Sequence, residues 1–303
     1  MKALVPTIAR ELRIKNQDLL EKDVRLHRLL KALHESAIGQ DLVFKGGTCL
    51  IKCYLDYFRF SVDLDFTWRN QENWHQVNTK QVPNVTRKAR HAWVAAMTAA
   101  AGDLGYDFDA GSIVWGSNSR IGTAQLGYRN LAGEAAFIKV QVNFVEPLHY
   151  EPVMRQVRTL VSGAESKAIK LLDGPDIEAY RESYSLSCYD AREIAAEKVR
   201  AILTRTAPKG RDLLDLYLLE RDLGIKPETL ETQVREKLDF ALSLGEKYQK
   251  TLDDAQTRFD QLVQWDANVL LLKDIDFAAF DKFRKRVLDF AGRFLPEDSG
   301  DEA

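Results

Sequence analysis

Asp63 and Asp65 are the residues whose type and spacing most directly suggest chemistry. They stand one residue apart in a stretch where polar and apolar side chains alternate from Arg59 to Thr67. Such alternation predicts a half-buried strand, on which side chains two apart point to the same side. Two carboxylates on one face can bind divalent ions, and Mg²⁺ favours few carboxylates together with substrate phosphate oxygens. An exposed strand face with two solvated carboxylates is the alternative.

A glycine turn precedes this strand. A short apolar strand ends at Phe44, and the residues that connect it to a helical stretch are Lys45, Gly46, Gly47 and Thr48. Glycine lets backbone approach a phosphate closely, and the unpaired N–H groups at the start of a helix attract anions. A turn that needs glycine only for its conformation is the alternative. The order of glycine turn, helix and carboxylate strand favours a site for a metal and phosphates.

The remaining pattern predicts two domains in an α/β fold, more strictly α+β. Helical periodicity covers residues 19–33 and 85–104, and three strands of an antiparallel meander are predicted at residues 112–115, 124–128 and 136–145. Strand signals fade beyond Pro147, and residues 160–184 are predicted to be a polar connection. We predict domains over residues 1–160 and 161–296, the second helical and contributing to the active-site cleft, and an acidic disordered tail over residues 297–303.

Composition narrows the class of protein further. The chain has 303 residues and a net charge of −2, so no global basic field indicates a nucleic-acid binder. It has no apolar run near the roughly 18 residues of a membrane span and no signal peptide, which predicts a cytoplasmic protein without membrane contact. Cys49, Cys53 and Cys188 are predicted to be reduced core thiols, because no other Cys or His lies near the first two at ligand spacing.

A family resemblance rests on the segment around the two aspartates. Residues 44–66 resemble the AbiEii family of nucleotidyltransferase toxins, within the DNA polymerase β superfamily, and read FKGGTCLIKCYLDYFRFSVDLDF. That family combines a G-G-T turn, a Lys in the helix and an R-x-S-x-D-x-D-F strand. The matching residues here are Gly46, Gly47, Thr48, Lys52, Arg59, Ser61, Asp63, Asp65 and Phe66.

A second block strengthens the resemblance. Residues 197–219, EKVRAILTRTAPKGRDLLDLYLL, resemble the helical motif of the same family. Residues seven apart share a helix face, as do residues three apart, so a hairpin turning at residues 208–210 could bring two charged faces together. A salt-bridged surface hairpin is the alternative. The candidates in this block are Lys198, Arg205, Arg211, Asp212 and Asp215, and the resemblance implies that Lys198 contacts nucleotide phosphate and that Asp212 or Asp215 completes the site.

The resemblance implies an activity and its partners. An N-terminal nucleotidyltransferase domain, with a mixed sheet flanked by helices, would hold Mg²⁺ on Asp63 and Asp65 and transfer a nucleoside monophosphate (NMP) from a nucleoside triphosphate (NTP). The implied acceptor is an RNA such as the tRNA 3′ end. The implied role is that of a toxin in a toxin–antitoxin or phage-defence (abortive infection) pair, neutralised by a separate antitoxin protein.

One departure from the superfamily pattern leaves alternatives open. A third carboxylate often comes from a later strand, where this chain has Gln141, and an amide cannot act as a general base. The two aspartates could suffice, Glu146 or Asp215 could take the role, or activity could be reduced or lost. The alternatives to an RNA-directed enzyme are a small-molecule nucleotidyltransferase of the aminoglycoside-modifying kind and a catalytically silent binding module.

Overall fold

The chain folds into an α/β structure with a seven-stranded mixed sheet, which confirms the predicted fold class. The computed structural model describes all residues except 72, 73, 75, 165, 208, 262–270 and 297–303, so the predicted disordered tail lies outside the described residues. Two compact units form, one from residues 1–146, 151–190 and 271–273 and the other from residues 147–150, 191–261 and 274–296. The two-domain boundaries given above stay a prediction.

All seven strands belong to the first unit. They are β1 (Leu42–Lys45), β2 (Asp63–Trp68), β3 (Val114–Gly116), β4 (Ile121–Arg129), β5 (Ala135–Asn143), β6 (Val153–Gln156) and β7 (Ser185–Cys188). Their order in the sheet is β3-β4-β5-β2-β1-β7-β6. The β3, β4 and β5 strands pair antiparallel, as the predicted meander requires. The aspartate strand β2 lies in the middle, parallel to β5 and antiparallel to β1.

The helices of the first unit surround this sheet in sequence. They are α1 (Leu4–Glu11), α2 (Gln17–Glu35), α3 (Gly46–Cys53), α4 (Val82–Val85), α5 (Arg87–Leu104), α6 (Lys167–Lys170) and α7 (Pro175–Arg181). The predicted helices at residues 19–33 and 85–104 correspond to α2 and α5 and are confirmed. The helix after the glycine turn ends at Cys53, and Asp56 and Tyr57 then adopt left-handed backbone with φ of 45° and 51°.

The segment after Pro147 is more ordered than the sequence indicates. The β6 and β7 strands have four residues each, too few for a pattern of alternation to stand out, and the predicted fading of strand structure is wrong there. The predicted polar connection contains α6 and α7. Ile169 and Ile177 of these helices pack in one buried cluster with Leu4 and Ile8 of α1, which ties this segment to the first unit.

The second unit is helical in its described part. Its helices are α8 (Ala191–Thr204), α9 (Gly210–Leu223), α10 (Glu231–Ser243), α11 (Glu246–Asp253), α12 (Ala255–Gln261) and α13 (Phe277–Gly292). A buried ion pair between Lys237 of α10 and Glu193 of α8, 2.5 Å apart, joins two of them. Among the helices that the structure describes, none is long and apolar enough to cross a membrane.

Candidate active site

The two aspartates occupy the middle of the sheet. Leu64 and Phe66 of β2 are buried, whereas Asp63 and Asp65 between them are partly exposed, as the predicted alternation requires. The pairing begins at Asp63 rather than at Arg59, which forms an isolated bridge with Leu271 instead. Both carboxylates therefore project from one face of a central strand and are accessible from solvent.

The glycine turn lies directly against the second aspartate. Gly46 has a φ of +77°, and a Cβ atom built on it would come within 2.5 Å of Asp65 Oδ2. A Cβ on Gly47 would come within 2.8 Å of an Arg59 guanidinium nitrogen and 3.2 Å of Ser61 Oγ. Glycine is thus needed at both positions because other side chains fill the space, and at Gly46 also because of its backbone conformation.

Polar contacts hold the start of α3 to the segment that leads into β2. Thr48 Oγ1 lies 2.8 Å from Ser61 Oγ, and the Thr48 hydroxyl also donates to the carbonyl of Asp63. Arg59 is buried, and its Nη1 donates to the carbonyl of Phe60 at 2.6 Å. These contacts give Thr48, Arg59 and Ser61 a clear part in fixing the turn beside the aspartates.

Lys45, the residue before the turn, forms a buried ion pair. Its Nζ lies 2.6 and 2.7 Å from the two carboxylate oxygens of Glu146. The same carboxylate accepts hydrogen bonds from Tyr189 at 2.6 Å, from Asn143 at 2.9 Å and from Thr67. Lys45 and Glu146 are only 5% and 9% exposed, so each is the main charge compensation for the other.

This buried pair predicts a large effect on stability. Lys45→Met removes the positive partner and leaves the Glu146 carboxylate buried, which should lower the free energy of unfolding by about 3–5 kcal/mol. Chemical denaturation followed by tryptophan fluorescence measures it. The control is Arg158→Met, which breaks the exposed pair of Arg158 and Asp56 and should cost no more than about 1 kcal/mol. Equal losses in the two variants would contradict the prediction.

Lys52 of α3 is also buried in an ionic network. Its Nζ lies 2.9 Å from Asp23 Oδ1 of α2 and donates to the hydroxyl of Tyr57. Tyr57 in turn donates to Asp23 Oδ2 at 3.0 Å, and Tyr180 donates to the same oxygen. Lys52 therefore ties α3 to α2 beneath the glycine turn.

Two lysines that the sequence did not single out surround Asp63. Lys139 lies opposite Asp63 in the β2–β5 register, and its Nζ is 3.1 Å from Asp63 Oδ2. Burial lowers the pKa of Lys22, while the charge of Asp63 acts to raise it. Lys139 could have been found from its position two residues before Gln141 on the same strand face. Both cations concentrate positive charge beside the carboxylate pair.

Gln141 lies where the missing third carboxylate would be needed. It is paired in register with Asp65 across parallel strands, so the two side chains are neighbours on one sheet face. Its amide nitrogen lies 3.4 Å from Asn143 Oδ1. Within the described residues of the first unit, no third Asp, Glu, His or Cys clusters with Asp63 and Asp65 closely enough to share an ion.

The charged residues of the second block come together within the second unit. Lys198 Nζ on α8 lies 3.0 Å from Asp212 and 2.5 Å from Asp215, both on α9. Arg205 forms an ion pair with Asp212 as well. Lys198 and both aspartates are buried, and Arg211 is half-buried one residue after α9 begins. The two helix faces meet as the spacing suggested, although residue 208 of the predicted turn lies outside the described residues.

The electrostatics of this cluster predict a dependence of stability on pH. Burial acts to raise the pKa of Asp212, but Lys198 and Arg205 outweigh it and hold the pKa below its ordinary value of 3.8. Because the folded pKa is depressed, the ionised Asp212 stabilises the fold at neutral pH. That contribution is lost as pH falls from about 4 through the folded pKa.

Asp212→Asn should therefore be less stable than the natural chain at pH 7, and the difference should shrink as pH falls below about 4. Denaturant unfolding followed by circular dichroism across this pH range measures the difference. Asp222→Asn, which removes an exposed carboxylate from the same helix, is the control and should show no comparable trend. A difference for Asp212→Asn that stays constant down to strongly acidic pH would count against this assignment.

A mixed sheet flanked by helices, with a glycine turn packed on an aspartate strand, is consistent with the nucleotidyltransferase fold. The family model for the nucleotidyl transferase AbiEii toxin of type IV toxin–antitoxin systems matches residues 28–297. The chain therefore belongs to the AbiEii family, and the match spans both motif blocks. No curated protein gives a significant match to the chain.

Proposed function

We propose that this chain is a Mg²⁺-dependent nucleotidyltransferase toxin that transfers an NMP from an NTP to an RNA, such as the 3′ end of tRNA, and that a cognate antitoxin protein neutralises it. Membership of the AbiEii family supports nucleotidyl transfer and a toxin role. The observation that carries the proposed chemistry is the contact between the Asp65 carboxylate and the Gly46 turn. It puts a metal-binding group next to backbone N–H groups suited to phosphate.

The carboxylate pair fits Mg²⁺ by its chemistry. Asp63 and Asp65 offer hard oxygen ligands from one strand face and remain partly open to solvent, which leaves room for water and phosphate oxygens. Bound Mg²⁺ would neutralise charge on the triphosphate and on the leaving pyrophosphate. In this proposal Asp63 and Asp65 are the metal ligands, and Lys139 exchanges its contact with Asp63 for one with phosphate.

Phosphate binding is assigned to the start of α3 and to the basic residues of the second block. The backbone of Gly46, Gly47 and Thr48 supplies N–H groups, since glycine permits close approach. Lys198, Arg205 and Arg211 are proposed to offset phosphate charge, on the motif resemblance alone. Lys45, Lys52, Arg59 and Ser61 are proposed to position the turn, because their side chains contact Glu146, Asp23, Phe60 and Thr48 respectively.

The proposed reaction forms a bond from an acceptor hydroxyl oxygen to the α-phosphorus and breaks the α–β phosphoanhydride, so that pyrophosphate leaves. The hydroxyl proton needs an acceptor, and Gln141 cannot be one. Glu146 is also unsuited, because its buried carboxylate already accepts from Lys45, Tyr189 and Asn143. The proposal therefore gives this task to the aspartate pair.

A transfer assay tests the proposed function and separates the alternatives. The full chain is incubated with Mg²⁺ and each labelled NTP, with total RNA in one arm and a panel of aminoglycosides in the other. We expect label on RNA. Label on aminoglycosides alone would establish the small-molecule alternative instead, and no transfer to either acceptor would overturn the proposed enzyme.

A catalytically silent binding module is the second candidate, and the pairing of Gln141 with Asp65 favours it. Gln141→Glu restores a carboxylate at that position and decides between the two. If the natural chain transfers NMP and the variant changes only the rate, the enzyme stands. If transfer appears in the variant alone, the natural chain is silent.

A further inference from the structure

Three cysteines distant in sequence converge within the first unit. Cys49 and Cys53 lie one turn apart on α3, and Cys188 is the last residue of β7. Their Sγ atoms all lie within 4.8 Å of one another. The sheet brings them together, because Cys188 pairs in register with Phe44 of β1, the strand that leads through the glycine turn into α3. The local spacing of Cys49 and Cys53 gave no indication of a third thiol.

We propose that Cys49, Cys53 and Cys188 form a binding site for a thiophilic metal ion of the zinc class, separate from the aspartate site. A tetrahedral zinc site has Zn–S bonds of about 2.3 Å, which places its sulfurs roughly 3.8 Å apart. The three sulfurs are close enough to reach that spacing through side-chain rotation. Three protein ligands leave a fourth position for water or another ligand.

The surroundings of the thiols support ion binding. Cys49 and Cys188 are buried, while Cys53 is partly exposed and gives an ion a path to the cluster. Hydrogen bonds from the thiols of Cys49 and Cys53 lower the pKa of Cys188, which favours one thiolate before any ion arrives. Tyr54 Oη lies 3.8 Å from Cys188 Sγ and donates to the carbonyl of Tyr189 at 2.6 Å, which fixes the phenol beside the sulfur.

Occupancy of this cluster would affect the glycine turn. Cys49 lies in the first turn of α3, three residues after Gly46, so an ion bridging α3 and β7 would hold the start of the helix against the sheet. Burial raises the pKa of Cys49, and this thiol must lose its proton to bind, so affinity should increase with pH.

Titration of the full chain with Cd²⁺, after reduction by a phosphine, tests the site. We expect a thiolate-to-cadmium absorption band in the ultraviolet that saturates at one equivalent. Cys49→Ser, Cys53→Ser and Cys188→Ser should each weaken binding about 10-fold or more. The double variant Asp63→Asn with Asp65→Asn is the control and should keep the band, because carboxylates give no thiolate transition.

The natural chain decides the question even where a cysteine variant fails to fold. Absence of the band in the folded natural chain would overturn the proposal. So would an unchanged band and affinity in a folded variant that lacks one of the three cysteines. Neither result depends on NMP transfer, so failure here is distinguishable from failure of the proposed enzyme.

Discussion

Asp65→Asn is expected to abolish NMP transfer while leaving the fold intact. The amide keeps the shape of the side chain beside Gly46 but removes the negative charge that would bind Mg²⁺. Loss of an outer partner of a metal ligand typically costs about 10- to 100-fold, so loss of a ligand itself should exceed that. The initial rate of label transfer from NTP to RNA, with circular dichroism to check the fold, measures the effect.

Two controls make this result specific. Asp103→Asn removes an exposed carboxylate from α5 and should leave the transfer rate unchanged. Lys139→Met breaks the ion pair of Asp63 without removing a carboxylate, so it separates that pair from the metal ligand. We expect Asp63→Asn to fall to the level of Asp65→Asn and well below Lys139→Met. Full transfer by a folded Asp65→Asn chain would refute the assignment.

Gly46→Ala is expected to have the second largest effect, because two separate constraints meet at this residue. Its φ of +77° costs a non-glycine residue about 1–2 kcal/mol, and the new Cβ would lie 2.5 Å from Asp65 Oδ2. Either the turn or the carboxylate must move. A misplacement near 1 Å in a catalytic geometry costs about 100-fold, so we expect transfer to fall by at least that much.

Gly133→Ala is a matched control for the backbone term. Gly133 lies in the turn between β4 and β5 with a φ of +84°, and a Cβ there would meet nothing within 4 Å. Both variants should lose similar stability from strain, but Gly133→Ala should keep its transfer rate. If the two variants lose transfer equally, backbone strain rather than contact with Asp65 explains the loss.

The central features of the candidate site were predictable because they are local. Alternation around Asp63 and Asp65 fixes which side chains share a strand face, and a glycine pair between a strand and a helix marks the turn. The structure adds that Asp65 packs on Gly46, a contact made through the pairing of β1 with β2. Neighbouring strands can be predicted from sequence more readily than the contact itself.

The partners of the buried lysines were not predictable, because they come from distant parts of the chain. Lys45 pairs with Glu146, 101 residues away, and Lys52 pairs with Asp23 of α2. Local spacing suggested that both lysines face phosphate, and their burial with carboxylates indicates a positioning role instead. Cys188 reaches Cys49 only because β7, too short to predict, pairs with β1.

Calorimetric titration of NTP into the full chain, with and without Mg²⁺, tests the central claim most directly. We predict binding that requires Mg²⁺ in the natural chain and is lost in the double variant Asp63→Ala with Asp65→Ala. Binding of equal strength in that variant, or no Mg²⁺-dependent binding in the natural chain, would contradict the assignment of this aspartate pair as the metal and nucleotide site.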